Sequence, residues 1–163
     1  MTSKTQFSEE EWTRLKRAPF VAGMAISIAD PGGPIEVVKE TAATLKTVRE
    51  AAASGGRGEL VDALARDVVA DTQQRKSPLH DFKARGALAG QEILEELAEV
   101  NRIVSEKATP EEADEYREWL RAAAQEAANA AKEGGFMGFH AQRVSEGEQR
   151  MLDKLTEVLA PPA

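Results

Sequence analysis

Pro19 to Ala29 reads PFVAGMAISIA. Only Ser27 in this stretch is polar. A segment with no polar face has to be surrounded by protein. By periodicity alone a short apolar run fits a buried parallel strand or a buried helix. The rest of the chain decides between them, because no other segment reads as a strand. The stretch is therefore expected to be the central, almost wholly apolar helix (Pro19–Ala29) of an all-α bundle. Pro19 has no N–H and its ring crowds the preceding turn, so a kink or a restart is expected there. Gly23 would let a neighbouring helix come close.

Reading outward, Ser8 and Glu11 have capping-box spacing, with Phe7 and Trp12 at the hydrophobic-staple positions. Downstream, Asp30-Pro31-Gly32-Gly33-Pro34 is a stop and restart. Pro34 fits the first turn of the next helix, which recurs on Ile35, Val38, Ala42, Leu45, Val48 and Ala52. A third helix runs from Glu59 to about Arg75 on Leu60, Val61, Leu64, Ala65 and Val68. Gln73 to Asp81 is a polar linker. Ala84 to about Lys107 is the next helix, on Leu88, Ile93, Leu97, Val100 and Val104. Thr109-Pro110-Glu111-Glu112 opens another, with a capping box and proline at the first helical position. Its second half is lined with alanine. A last helix runs from Ser145 to Leu159. The sum is a single helical domain over residues 1–163, with about six to seven helices.

The chain has 163 residues and a net charge of −7. That length buries a core without disulfides or metals. The acidic balance repels phosphate backbones, so nucleic acid is not an expected partner. There is no cysteine, which removes disulfides, thiolate catalysis and Cys-zinc sites. The N-terminal MTSKTQFSEEEW lacks the apolar core of a secretory signal. Phe20–Ala29 is far shorter than the roughly 20 residues that span a bilayer. A cytoplasmic protein without membrane insertion is expected.

One loop departs from the polar norm. Lys132 to Glu148 reads KEGGFMGFHAQRVSEGE. Gly134-Gly135 is a helix stop and Ser145-x-x-Glu148 a helix start. Between them stand Phe136, Met137 and Phe139. Burying each would contribute about 1.5–3 kcal/mol, so a plug across the bundle end is one reading. The other is a surface for a protein partner or a second copy of the chain, with His140 and Arg143 as polar contacts at its rim.

Catalytic patterns are absent. There is no G-x-S-x-G elbow, no His-Glu-x-x-His and no Glu-x-x-His pair. Ser54-Gly55-Gly56-Arg57-Gly58 has no preceding strand and no Lys-Ser/Thr after it, so it is not a P-loop. No cofactor motif is present. Any metal would need an all-oxygen set, which suits Ca²⁺ or Mg²⁺. Glu36 and Glu40, four apart, share a helix face behind Asp30. Glu92, Glu95, Glu96 and Glu99 read as an exposed acidic face. His80, beside Asp81 in the linker, reads as a surface residue. Asn101, close to an apolar stripe, needs hydrogen-bond partners.

Two places carry a resemblance. Ala29-Asp30, a Gly-rich turn, then Glu36 and Glu40 form one. Val144-Ser145-Glu146-Gly147-Glu148, followed by Leu152, Leu155 and Leu159, forms the other. Both look like the half-repeats of TerB-like tellurite-resistance helical domains. That resemblance implies a divalent-metal role for Asp30, Glu36 and Glu40. The chain also resembles small bacterial all-helical proteins of unknown function, in which E-G-G-F-[LM]-G-F precedes V-S-x-x-E. The expected function is a protein-interaction or self-associating module. The alternative is a module that binds a small ligand or a divalent metal.

Overall fold

The computed structural model describes residues 2–29, 34–133 and 144–163, with side chains throughout except at 34–38 and 131–133. Among the described residues there are six α-helices and no strand. They are α1 Glu9–Ala29, α2 Pro34–Ser54, α3 Glu59–Gln73, α4 Ala89–Lys107, α5 Pro110–Glu133 and α6 Glu146–Val158. The fold is all-α, as the periodicity predicts. No described helix is long and apolar enough to cross a membrane.

The starts of α1, α5 and α6 follow their capping signals. The Ser8 amide donates to Glu11 Oε2 at 2.7 Å, and the Glu11 amide to Ser8 Oγ at 3.1 Å. Phe7 and Trp12 stack across that start, with ring centroids 5.7 Å apart. Before α5, the Glu112 amide donates to Thr109 Oγ1 at 3.2 Å. Glu112 also accepts from the Thr2 amide at 3.0 Å and from the Thr2 hydroxyl, which ties the N-terminal segment to α5. Before α6, Ser145 and Glu148 complete the third reciprocal pair. Each such cap is worth about 1 kcal/mol.

Pro19 does not break α1. Pro19–Ala29 is therefore not a helix of its own but the second half of a 21-residue helix that begins with Glu9, Glu10 and Glu11. The reason lies on α5. Proline at position 19 removes the N–H that would bond the carbonyl of residue 15. The buried Tyr116 hydroxyl donates to that carbonyl, Leu15 O, at 2.9 Å. The orphaned acceptor is satisfied from outside the helix, and α1 continues.

α1 packs against all five other helices, and so does α5. α2 and α3 pack on each other and on this pair; α4 and α6 do the same. The result is a central α1/α5 pair with a two-helix layer on each flank. Ala123, Ala124, Ala127 and Ala128 of α5 are buried at the centre. Their small side chains bring the backbones together. A Cβ on Gly23 would lie 2.7 Å from Thr44 Oγ1 and 3.9 Å from Ala127 Cβ, so α1, α2 and α5 converge there.

Three expectations need correction. In α2, Val48 is buried and Leu45 and Ala52 pack against the core as the period predicts, but one position of the stripe does not. Ala42 is exposed, and the buried face is Glu40, Thr44, Thr47, Val48 and Ala51. Threonine is tolerated inside because its hydroxyl returns to the helix: Thr44 to Glu40 O at 3.0 Å and Thr47 to Ala43 O at 3.1 Å. In α4, regular helix begins at Ala89 rather than Ala84. Leu88 sits in a 3₁₀ turn and is 63% exposed. Glu96 leaves the expected acidic face. It is buried beside Ile93, Leu97 and Val100, and it meets Arg14 at 3.0 Å and Arg17 at 2.6 Å.

The Tyr116 bond is testable by a double-mutant cycle. Tyr116→Phe leaves a buried carbonyl unpaired and should cost about 1–3 kcal/mol of stability. In a Pro19→Ala background, residue 19 regains its N–H and the same change should cost clearly less. Equal costs in both backgrounds, measured by urea unfolding, would show that Tyr116 does not substitute for the missing donor.

Candidate functional site

The second half of α1 presents Phe20, Gly23, Met24 and Ser27 at i, i+3, i+4 and i+7, one helix face. Opposite them α2 presents Glu40, Thr41 and Thr44. The turn Ser77-Pro78-Leu79 closes the third side. Together they line a cleft of about 290 Å³. Phe20, Met24, Pro78 and Leu79 make most of its wall apolar. The polar end is Glu40 of α2, which is buried and accepts from the Ser27 hydroxyl. Apolar walls with a few placed polar groups are the ordinary make-up of a small-molecule site.

Ser27, the lone polar residue in PFVAGMAISIA, thus marks the cleft. In the sequence it is an exception to an apolar run. In the structure it bonds a buried carboxylate thirteen positions away.

Beside the cleft lies a network of charges. Asp71 of α3, nearly buried, receives Lys16 Nζ at 2.6 Å and His80 Nε2 at 3.2 Å, with Lys76 Nζ at 3.8 Å on its other oxygen. These residues line a second, wider groove of about 700 Å³ together with Lys4, Phe7 and Trp12. Asp67 sits next to it and accepts from Lys4 at 2.8 Å and from the Trp12 indole at 2.9 Å. Burial of Asp67 opposes ionisation, but the Lys4 and Trp12 bonds outweigh it, and its carboxyl lies below the usual range. His80 is not a plain surface residue: its side chain is 18% exposed. Burial pushes the imidazole down, and the Lys16 ammonium adds to that. Asp71 opposes the shift; Arg17 and Lys76 reinforce it.

Asn101 meets its expectation. Its amide donates to Val158 O and Ala160 O, both at 2.9 Å, and its oxygen accepts from Arg117 Nε at 2.7 Å. It caps the C-terminal end of α6, a structural task.

Of the residues singled out for metal, Glu40 is in the cleft. Glu36 lies in α2 with its side chain outside the described residues, and Asp30 is outside them as well. Among the described residues no cluster of three His, Asp or Glu side chains could hold a metal ion. Phe136, Met137, Phe139, His140 and Arg143 all lie outside the described residues. A Cβ on Gly147 would lie 2.7 Å from the Ala29 carbonyl oxygen, so the start of α6 rests on the end of α1.

Sequence reasoning missed Asp71 and His80 as partners. They are nine apart, beyond one helix face, and only the turn at Arg75 brings them together. Arg75 adopts φ 60° after α3, and the Lys76 amide returns to Asp71 O at 3.0 Å.

The lowered pKa of His80 has a pH consequence. The folded state prefers the neutral ring, so its contribution is present above the unfolded value of about 6.5 and is lost as pH falls through the lower folded value. Stability measured between pH 7 and pH 5 should fall less steeply for His80→Asn than for the wild type. Parallel profiles would show that His80 is not the group responsible.

No protein-family model, no curated protein and no solved structure matches this chain.

Proposed function

We propose that this protein is a binding module that takes a small, largely apolar ligand in the cleft between α1, α2 and Ser77–Leu79. One observation carries the reading: an apolar cleft of about 290 Å³ ends on a buried carboxylate and hydroxyl, Glu40 and Ser27. A site of that make-up selects a ligand with an apolar body and one polar group. The resemblance to TerB-like domains supports a divalent-metal variant of this reading, with Ca²⁺ or Mg²⁺ held by Asp30, Glu36 and Glu40.

The neutral fluorophore 1-N-phenylnaphthylamine is a suitable probe of the cleft. Its emission should rise on binding and saturate. Filling the cleft with Met24→Trp should weaken that binding by about tenfold or more. Saturable binding that Met24→Trp leaves unchanged would place the probe elsewhere and remove the cleft reading. In a thermal melting assay, Ca²⁺ or Mg²⁺ should raise the melting temperature, and Asp30→Asn should abolish the rise. An unchanged melting temperature with either ion sinks the metal variant alone.

A second reading is a partner or self-association surface at Phe136, Met137 and Phe139, with His140 and Arg143 at its rim. It rests on three large apolar side chains within four residues of a loop, which monomers rarely leave exposed without use. Sedimentation should then show association in the wild type and a folded monomer in Phe136→Ser/Phe139→Ser. A monomeric wild type whose double variant unfolds would identify the loop as a core plug.

A further inference from the structure

Two walls of the cleft are helices, α1 and α2, packed on each other and on α5. The third wall, Ser77–Leu79, is a turn in the linker between α3 and α4. It is followed by two consecutive non-glycine residues in the left-handed region, His80 at φ 45° and Asp81 at φ 66°. Non-glycine residues are uncommon in that region, and their backbone is strained there. Strain of that kind persists only where surrounding contacts impose it.

Those contacts come from two helices. His80 Nε2 lies 3.2 Å from Asp71 Oδ2 on α3. On α1, Arg17 donates to the His80 carbonyl at 3.5 Å and lies 5.1 Å from the centre of the Phe82 ring. Both anchors are themselves held, Asp71 by Lys16 and Arg17 by the buried Glu96. Within the turn, the His80 amide donates to Ser77 O and the Phe82 amide to Leu79 O. Leu79 is half-buried, packs on the core and lines the cleft. Moving it outward loses an apolar contact that a ligand's apolar body can replace.

The turn thus carries internal strain that favours opening and external contacts that hold it shut. Building on the cleft reading above, we propose that Ser77–Asp81 is a latched gate over the cleft. The His80–Asp71 and Arg17–His80 contacts form the latch, and a ligand enters when they release.

His80→Asn removes the imidazole while keeping a residue that tolerates the left-handed region, so faster opening in it cannot come from added backbone strain. Hydrogen exchange tests the gate without any ligand. The His80 position and Phe82 amides should exchange about tenfold faster or more in His80→Asn, with α1 and α2 amides unchanged. Unchanged exchange across residues 77–82 would overturn the latch. Stopped-flow binding of 1-N-phenylnaphthylamine tests entry. In the wild type the observed rate should level off as probe concentration rises, since opening precedes binding. In His80→Asn the plateau should rise, because fewer contacts have to break on opening. A rate linear in probe concentration for the wild type would overturn the gate and leave the cleft reading standing. If the probe binds neither protein, the cleft reading fails, and the gate fails with it as an entry device.

Discussion

The packing of this bundle depends on one hydrogen bond across its centre. Pro19 leaves the Leu15 carbonyl without its helical donor, in the middle of the helix that touches every other helix. Buried and unpaired, that carbonyl would cost about 1–3 kcal/mol. The Tyr116 hydroxyl of α5 supplies the bond. The same contact that repairs α1 fixes its register against α5. Burial of the phenol, with Glu96 nearby, pushes the Tyr116 pKa well up, so the hydroxyl stays a donor.

With α1 continuous, its two halves do different work. The first half, Glu9 to Arg17, carries charge into the bundle. Arg14 and Arg17 meet Glu96 on α4, and Lys16 meets Asp71 on α3. Buried pairs of this kind add little net stability, but removing one partner strands the other. The second half is apolar and provides the floor of the cleft. The position of the cleft follows from this division, at the point where the apolar half of α1 meets α2 and the linker crosses over them.

How much of the site was readable depends on the residue. Ser27 was visible as the one polar residue in an apolar run, and Glu40 as a carboxylate behind a glycine-rich turn. Their meeting was not visible, because it depends on how α1 packs on α2 and not on the pattern within either helix. Ala42 belongs to the apolar pattern yet faces outward, while Thr44 and Thr47 are inside with their hydroxyls bonded to the backbone. Those local hydrogen bonds lower the cost of burying the two threonines beside the apolar stripe. The burial of Glu96 is not legible locally because its cationic partners come from α1, 79 and 82 positions away along the chain, and that of His80 because it depends on the turn that returns it to Asp71.

The sequence by itself determined the helices, the capped starts of α1, α5 and α6 and most of the core stripes of α3 to α6. Those features arise from contacts within a few residues, and the helical period displays them directly. Only the tertiary structure decided that α1 runs through Pro19, that α1 and α5 form the central pair, and that Glu96, Asp71 and Glu40 are buried. Each of these depends on a donor or cation from another helix. Such a partner costs nothing to leave out of a local reading, yet it determines whether a carbonyl or a carboxylate can be buried at all.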